Sequence, residues 1–277
     1  VGRRKSGRFP LRKFLSHYLK QSRLTILNLF TISKFYNTVF TNVFMENKVG
    51  FGDLFSSAVN NFKKGFKDCF SVGLKYYIIP TFILSLIMTF VFGVYRIGFE
   101  KTLGFGALLF LLFFIIVSVF LYIFVEVYLV LYFAGKKKNI LSVSKGKVWS
   151  SFLFYLVFAI FVSLLFLLLI IPGVVFLVFW VFGFYIFVLE DKGIVESLGA
   201  SFDLVRDNWW RTLWYGIIIV FFMGIINWIA SSIFSSSLES GIFVSLGTIV
   251  SMIVSMIINI FVTSFFVEYY KTRKKGK

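Results

Sequence analysis

The side chains able to do chemistry in this 277-residue sequence are few, and what is missing narrows the choices first. There is one histidine, His17, and one cysteine, Cys69. From residue 45 onward no Ser-His-Asp, Cys-His or HExxH zinc arrangement can be assembled, because each needs an imidazole. A single thiol forms neither an intramolecular disulfide nor a CxxC pair, so Cys69 reads as a small buried residue. No Walker loop or GxGxxG turn is present, and no DxxD-like cluster follows an apolar run to hold magnesium at a lipid headgroup. The residue inventory therefore predicts no cofactor and no metal, and weighs toward a non-enzymatic role.

What remains is a small polar set embedded in apolar surroundings. Glu126 lies about five residues inside the end of an apolar run, where an ionisable group is costly and is often functional. It could equally be a structural glutamate hydrogen-bonded within a bundle. Glu190, Asp191 and Glu268 fall at the same depth relative to their own runs, and Arg206 and Arg211 lie close to the next one. If neighbouring segments pack side by side, these six residues form an acid-base cluster at one end of the bundle, with Lys75 within reach. Asn227 and Asn259 sit in apolar runs, where amides more often join helices than bind ligands.

The elements that must position these groups are membrane spans. The chain is 59% hydrophobic and 15% charged, against roughly half and a quarter in soluble domains. Nearly uncharged runs such as 105–125, 152–171 and 242–262 meet the roughly 20 residues a hydrocarbon core requires. The run from Phe152 to Leu189 is too long for one crossing: as a single helix it would extend about 57 Å. It must fold back, and Pro172-Gly173 at its centre is the predicted turn. Six spans follow, at about 74–95, 105–133, 152–171, 174–189, 211–233 and 242–268. None of them carries an evident mid-helix break.

Each pair of spans is preceded by a candidate surface helix. Phe51, Phe55, Ala58, Phe62, Phe66 and Cys69 make an apolar stripe at helical spacing, with Lys63, Lys64 and Lys67 off it. Residues 139–150 form a second basic stretch, and 192–207 a third, with Ile194, Val195, Leu198, Phe202 and Val205 as its stripe. Asn208 is the expected N-cap of the following span, and Trp209 and Trp210 its interfacial anchors. The even spans end alike, in FVEVY (124–128), FVLED (187–191) and FVEYY (266–270), which points to an internal repeat. The predicted fold is thus all-α: a polytopic bundle of three hairpins, each introduced by a cytoplasmic amphipathic helix.

Charge sets the orientation. From Lys63 onward the segments before spans 1, 3 and 5 and the tail carry 17 Lys and Arg, and the opposite loops only Arg96 and Lys101. The positive-inside rule places both termini in the cytoplasm of a cell (plasma) membrane protein. Basic residues placed in this way argue for anionic lipid headgroups as partners, with a protein partner as a further option, and against nucleic acid. Residues 1–44 hold no acid and nine basic residues. They read either as a basic arm or, preferably, as an extension of the reading frame ahead of a native start at Met45, which leaves 45–277 as the membrane domain.

The stretch IPGVVFLVFWVFGFYIFVLEDKGIVESLGASFDLVRDNWWRTLWYG (171–216) resembles a group of prokaryotic six-span membrane proteins. That group includes the membrane domain found beside some glycerophosphoryl diester phosphodiesterases. The likeness extends more weakly over 45–277. Gly199-Ala200 and Asp207 depart from the group's usual pattern, and no phosphodiesterase domain is attached. The resemblance implies fold and orientation, not hydrolysis. Two functions stay open: an accessory or scaffold protein touching lipid or a partner, and a transporter or lipid-handling protein with a cavity near Glu126. An intramembrane enzyme acting on lipids is a weaker third.

Overall fold

The computed structural model describes residues 50–98, 105–136, 139–235 and 241–275. The expectations for residues 1–44, for the rest of the 96–104 loop beyond Gly98 and for the 236–240 loop lie outside them. The described residues are helical throughout, without strands, and include six helices long and apolar enough to cross a membrane. In chain order they are α1 (Phe51–Gly73) and α2 (Ile79–Gly98), α3 (Phe105–Ala134), α4 (Ile140–Leu168), α5 (Ile170–Phe179) with α6 (Gly183–Glu190), α7 (Ile194–Val205) with α8 (Trp209–Ser235), and α9 (Gly241–Lys275).

The surface helices do not stand apart from the spans. α1 runs into α2 through a single π-helical turn, Leu74–Ile78. Pro80 explains it, because proline has no amide for the carbonyl one turn back and the wider turn absorbs the mismatch. The Ile79 amide accordingly bonds the Leu74 carbonyl, five residues away. α7 likewise continues into α8 through one 3-10 turn, Arg206–Asn208. Asn208 is therefore not the start of a fresh helix: it is buried inside a continuous one, and its carbonyl accepts the Thr212 hydroxyl at 3.1 Å.

The phases of the predicted stripes also shift. On α1 the buried positions are Leu54, Ala58, Gly65, Cys69 and Gly73, while Phe55 is exposed and Phe51, Phe62 and Phe66 are half-buried. Gly65 is required here, since a Cβ would come 2.6 Å from the Tyr132 ring. On α7, Ser197, Leu198, Ser201, Leu204 and Val205 are buried and Val195 is exposed.

The fold-back between Phe152 and Leu189 occurs, but not at Pro172-Gly173. Leu169 alone is extended (φ −161°, ψ 137°), and α5 starts at Ile170. Pro172 lies in the first turn of α5, where helix amides have no partner and proline costs nothing. Gly173 instead permits close packing against α4: a Cβ there would come 2.7 Å from Phe166 Cγ. Ring contacts outward from this tip, Phe161–Trp180 and Phe154–Phe184 among them, confirm an antiparallel hairpin.

The fourth span is also not one helix. It breaks at Trp180–Phe182, between α5 and α6. Ser201 of α7 holds the break, accepting the Phe182 amide at 3.1 Å and donating to the Phe179 carbonyl at 2.7 Å. The Trp209 indole N–H adds a bond to the Val175 carbonyl at 3.3 Å. Ser201→Ala should lower the thermal stability of detergent-purified protein by about 1–3 kcal/mol, since two buried backbone groups lose their partner. Gly173→Val should cost a similar amount by overpacking, partly recovered by Phe166→Ala; an unchanged melting transition would show that the hairpin tip needs no close approach.

Candidate functional site

Four helices converge where the core is tightest. Ile123–Leu131 of α3, Phe184–Val188 of α6 and Ile260–Tyr270 of α9 supply most of the fully buried apolar side chains, with α1 laid against them. Glu126 sits in the middle of this region, 6% exposed. Asn259 donates its amide to one carboxylate oxygen at 2.8 Å, and Thr263, one turn further along α9, donates its hydroxyl to the other at 3.2 Å. The phenols of Tyr122, Tyr155 and Tyr185 lie within electrostatic reach of the same carboxylate. A buried carboxylate with two donors and no ion pair among the described residues is a strong α3–α9 cross-link. Asn227 does comparable work between α8 and α9, accepting the Ser255 hydroxyl at 3.2 Å.

The other acids of the predicted set are distributed among lysines. Glu190 pairs with Lys274 at 2.8 Å and Lys192 at 3.0 Å, and accepts the Tyr270 hydroxyl. Asp191, which ends α6 in a left-handed conformation (φ 55°), pairs with Lys147 of α4. Glu268 accepts the Asn61 amide at 3.2 Å and lies 3.9 Å from Lys271. Arg206 is exposed beside Asp207, at 3.7 Å. Arg211 is buried, within electrostatic reach of the Tyr215 and Tyr269 phenols. The residues thus share one end of the bundle but form several local sets, with Glu126 deeper than the rest. Trp209 is half-buried on its Val175 bond, while Trp210 and Trp214 are exposed, as interfacial anchors would be.

Lysines also cap helices, a role that their positions in the sequence do not reveal. Lys136 donates to the Leu189 carbonyl at 3.0 Å, Lys147 to that of Val188 at 2.7 Å, and Lys271 to that of Phe133 at 2.6 Å. Each closes the open C-terminal carbonyls of a neighbouring helix, where positive charge is favoured. Two cavities lie nearby. One, of about 430 Å³, is bounded by the ends of α3, α6 and α9. The other, of about 420 Å³, is an apolar groove between α5 and α8, walled by Leu177, Leu213, Ile217 and Val220. Glu126 lines neither.

Residues 69–272 match the family model described as a domain of unknown function (DUF7847). The chain belongs to that family. No curated protein and no solved structure matches it. For DUF7847 the match takes in every span, the Glu126 cross-link and the lysine-capped helix ends, and it leaves out most of α1. Asn259→Ala, which strips a donor from a buried carboxylate, should destabilise the protein by about 1–3 kcal/mol. Glu126→Gln keeps hydrogen-bonding capacity with both partners and should cost less. Thermal unfolding in detergent orders the two; the reverse order would mean that the charge matters more than the bonds.

Proposed function

We propose that this protein is a non-enzymatic accessory or scaffold component of the prokaryotic cell membrane, both termini cytoplasmic, whose inner end is held against anionic lipid headgroups and is open to a protein partner. One observation carries this reading. Basic segments remote in sequence meet at one end of the bundle: Lys136 at the end of α6, Lys147 on Asp191, and Lys271 at the end of α3. Exposed Trp149, Trp210 and Trp214 accompany them on the segments that the positive-inside rule assigns to the cytoplasm.

The repeat reading gains support from the same region. Val125, Val188 and Val267, the second residues of the three similar span ends, are all within 1% of complete burial, so the same position of each word is a core position. The likeness of 171–216 to the membrane domain accompanying some phosphodiesterases adds a shared bundle plan and no hydrolase.

A transporter with a cavity near Glu126 is the alternative. The broken fourth span favours it, because discontinuous helices often frame transport sites. Its broken backbone is satisfied by Ser201, however, and Glu126 by Asn259 and Thr263. The accessory reading needs neither group to be vacant.

Extraction in mild detergent followed by lipid mass spectrometry tests the proposal. Wild-type protein should co-purify enriched in phosphatidylglycerol over zwitterionic lipid. Replacing Lys63, Lys64 and Lys67 on exposed positions of α1 by Gln should reduce that enrichment at least severalfold, because lysines near a charged surface attract anionic lipid. A C-terminal tag should be protease-accessible only in inside-out vesicles. No lipid preference, or a tag accessible from outside, would overturn the reading.

A further inference from the structure

We infer that the cavity between the ends of α3, α6 and α9 is a binding site for a phosphate group, with an anionic phospholipid of the surrounding leaflet as its source. This rests on the inner-end reading above, and it names one site and one chemistry within it.

The cavity is lined by four lysines, Lys136, Lys271, Lys274 and Lys275, and by one acid, Glu190. Glu190 is already engaged by Lys274, Lys192 and the Tyr270 hydroxyl, so it competes little for the others. Lys136 and Lys271 are fixed by their bonds to the Leu189 and Phe133 carbonyls. An ammonium has three donors, so each of these two keeps hydrogen-bonding capacity for a ligand in the cavity they line. Lys136 is further placed by its backbone. Gly135 (φ 89°) closes α3 with a paired turn in which the Lys136 amide reaches back to the Leu131 carbonyl at 3.1 Å. Two of the four lysines, Lys136 and Lys271, are thus held in place by backbone carbonyls, while Lys274 and Lys275 stay at the exposed rim.

Size and depth agree with a headgroup. About 430 Å³ lies in the range of small-ligand sites. Ala134 and Glu190 are the last residues of two helices long and apolar enough to cross a membrane, the position at which a headgroup would be met. Ala134 and Leu189 give it an apolar side suited to the glycerol end of a lipid.

The test measures binding of phosphatidylglycerol, phosphatidylcholine and inorganic phosphate to the purified protein by native mass spectrometry. Lys136→Gln with Lys275→Gln spares the Glu190 pairs, keeps an N–H at position 136 for the Leu189 carbonyl, and should weaken phosphatidylglycerol binding about 10- to 30-fold in a protein that still unfolds cooperatively. The α1 lysine variant should retain this tightly bound lipid. Competition by millimolar inorganic phosphate would assign the site to a soluble phosphate instead of a lipid, still on the same lysines. Equal binding of phosphatidylcholine, or undiminished phosphatidylglycerol in the double variant, would overturn the site. In the second case, loss in the α1 variant would leave the broader proposal standing; a wild-type protein with no preference would end both.

Discussion

Inside hydrocarbon a backbone amide or carbonyl has no water to turn to, and each one left unpaired costs several kcal/mol. Much of this structure is a consequence of that constraint. The spans are not ideal helices, and at each internal irregularity a specific partner takes up the released group. At Pro80 the helix widens to a π turn so that Ile79 can bond Leu74. Between α5 and α6, Ser201 serves both sides of the gap, and Trp209 reaches the carbonyl of Val175. Where helices end, lysines of neighbouring segments meet the last carbonyls of α3 and α6. The packing of α7 on the fourth span is therefore specified by hydrogen bonding as much as by shape.

The second consequence is that α9 becomes the organising helix. Apolar contact gives little preference among helices in lipid, since the tails are as apolar as leucine, whereas polar contacts are specific. α9 presents one at nearly every turn. Ser255 meets α8, Asn259 and Thr263 hold Glu126 of α3, and Ser264 donates to the Ala58 carbonyl of α1 at 3.0 Å. Glu268 then takes Asn61, Tyr269 meets Thr212 at 2.9 Å, and Tyr270 meets Glu190. Glu126 is the deepest link of this seam.

Hydropathy made the number of spans and the fold-back legible, because both follow from length against bilayer thickness. It misplaced the packed faces for a physical reason. A soluble helix hides its most apolar side, but a membrane helix turns that side to lipid and packs through small residues. Of the apolar stripe expected on α1, the small members Ala58 and Cys69 are buried, together with Gly65 and Gly73, whereas its phenylalanines are half-buried or exposed. The same inversion hid Ser201 behind Val195 and Phe202. Pro172-Gly173 misled differently: proline is equally content in a turn and in a first helical turn, and only the backbone at Leu169 distinguishes them. Among the candidate site residues, depth identified Glu126, but its partners lie more than 130 residues away on α9, a distance no local pattern spans.

The polar seam and the lysine caps lie in the same half of the bundle, and so does the apolar core. Toward the other side Phe90, Leu167, Ile171 and Trp228 are each at least 70% exposed, while α3 from Ile123 to Leu131 is buried throughout. The most deeply buried part of the described bundle is therefore the part that carries the ionic groups. Binding there would find its side chains already in position, because the carbonyls that fix Lys136 and Lys271 belong to the tightest-packed helices. A ligand at the opposite end would meet exposed apolar side chains such as Leu167 and Ile171, which have no anchoring bond of this kind. This difference in ordering cost, more than any count of charges, is the reason to look for the protein's partners at its lysine-capped end.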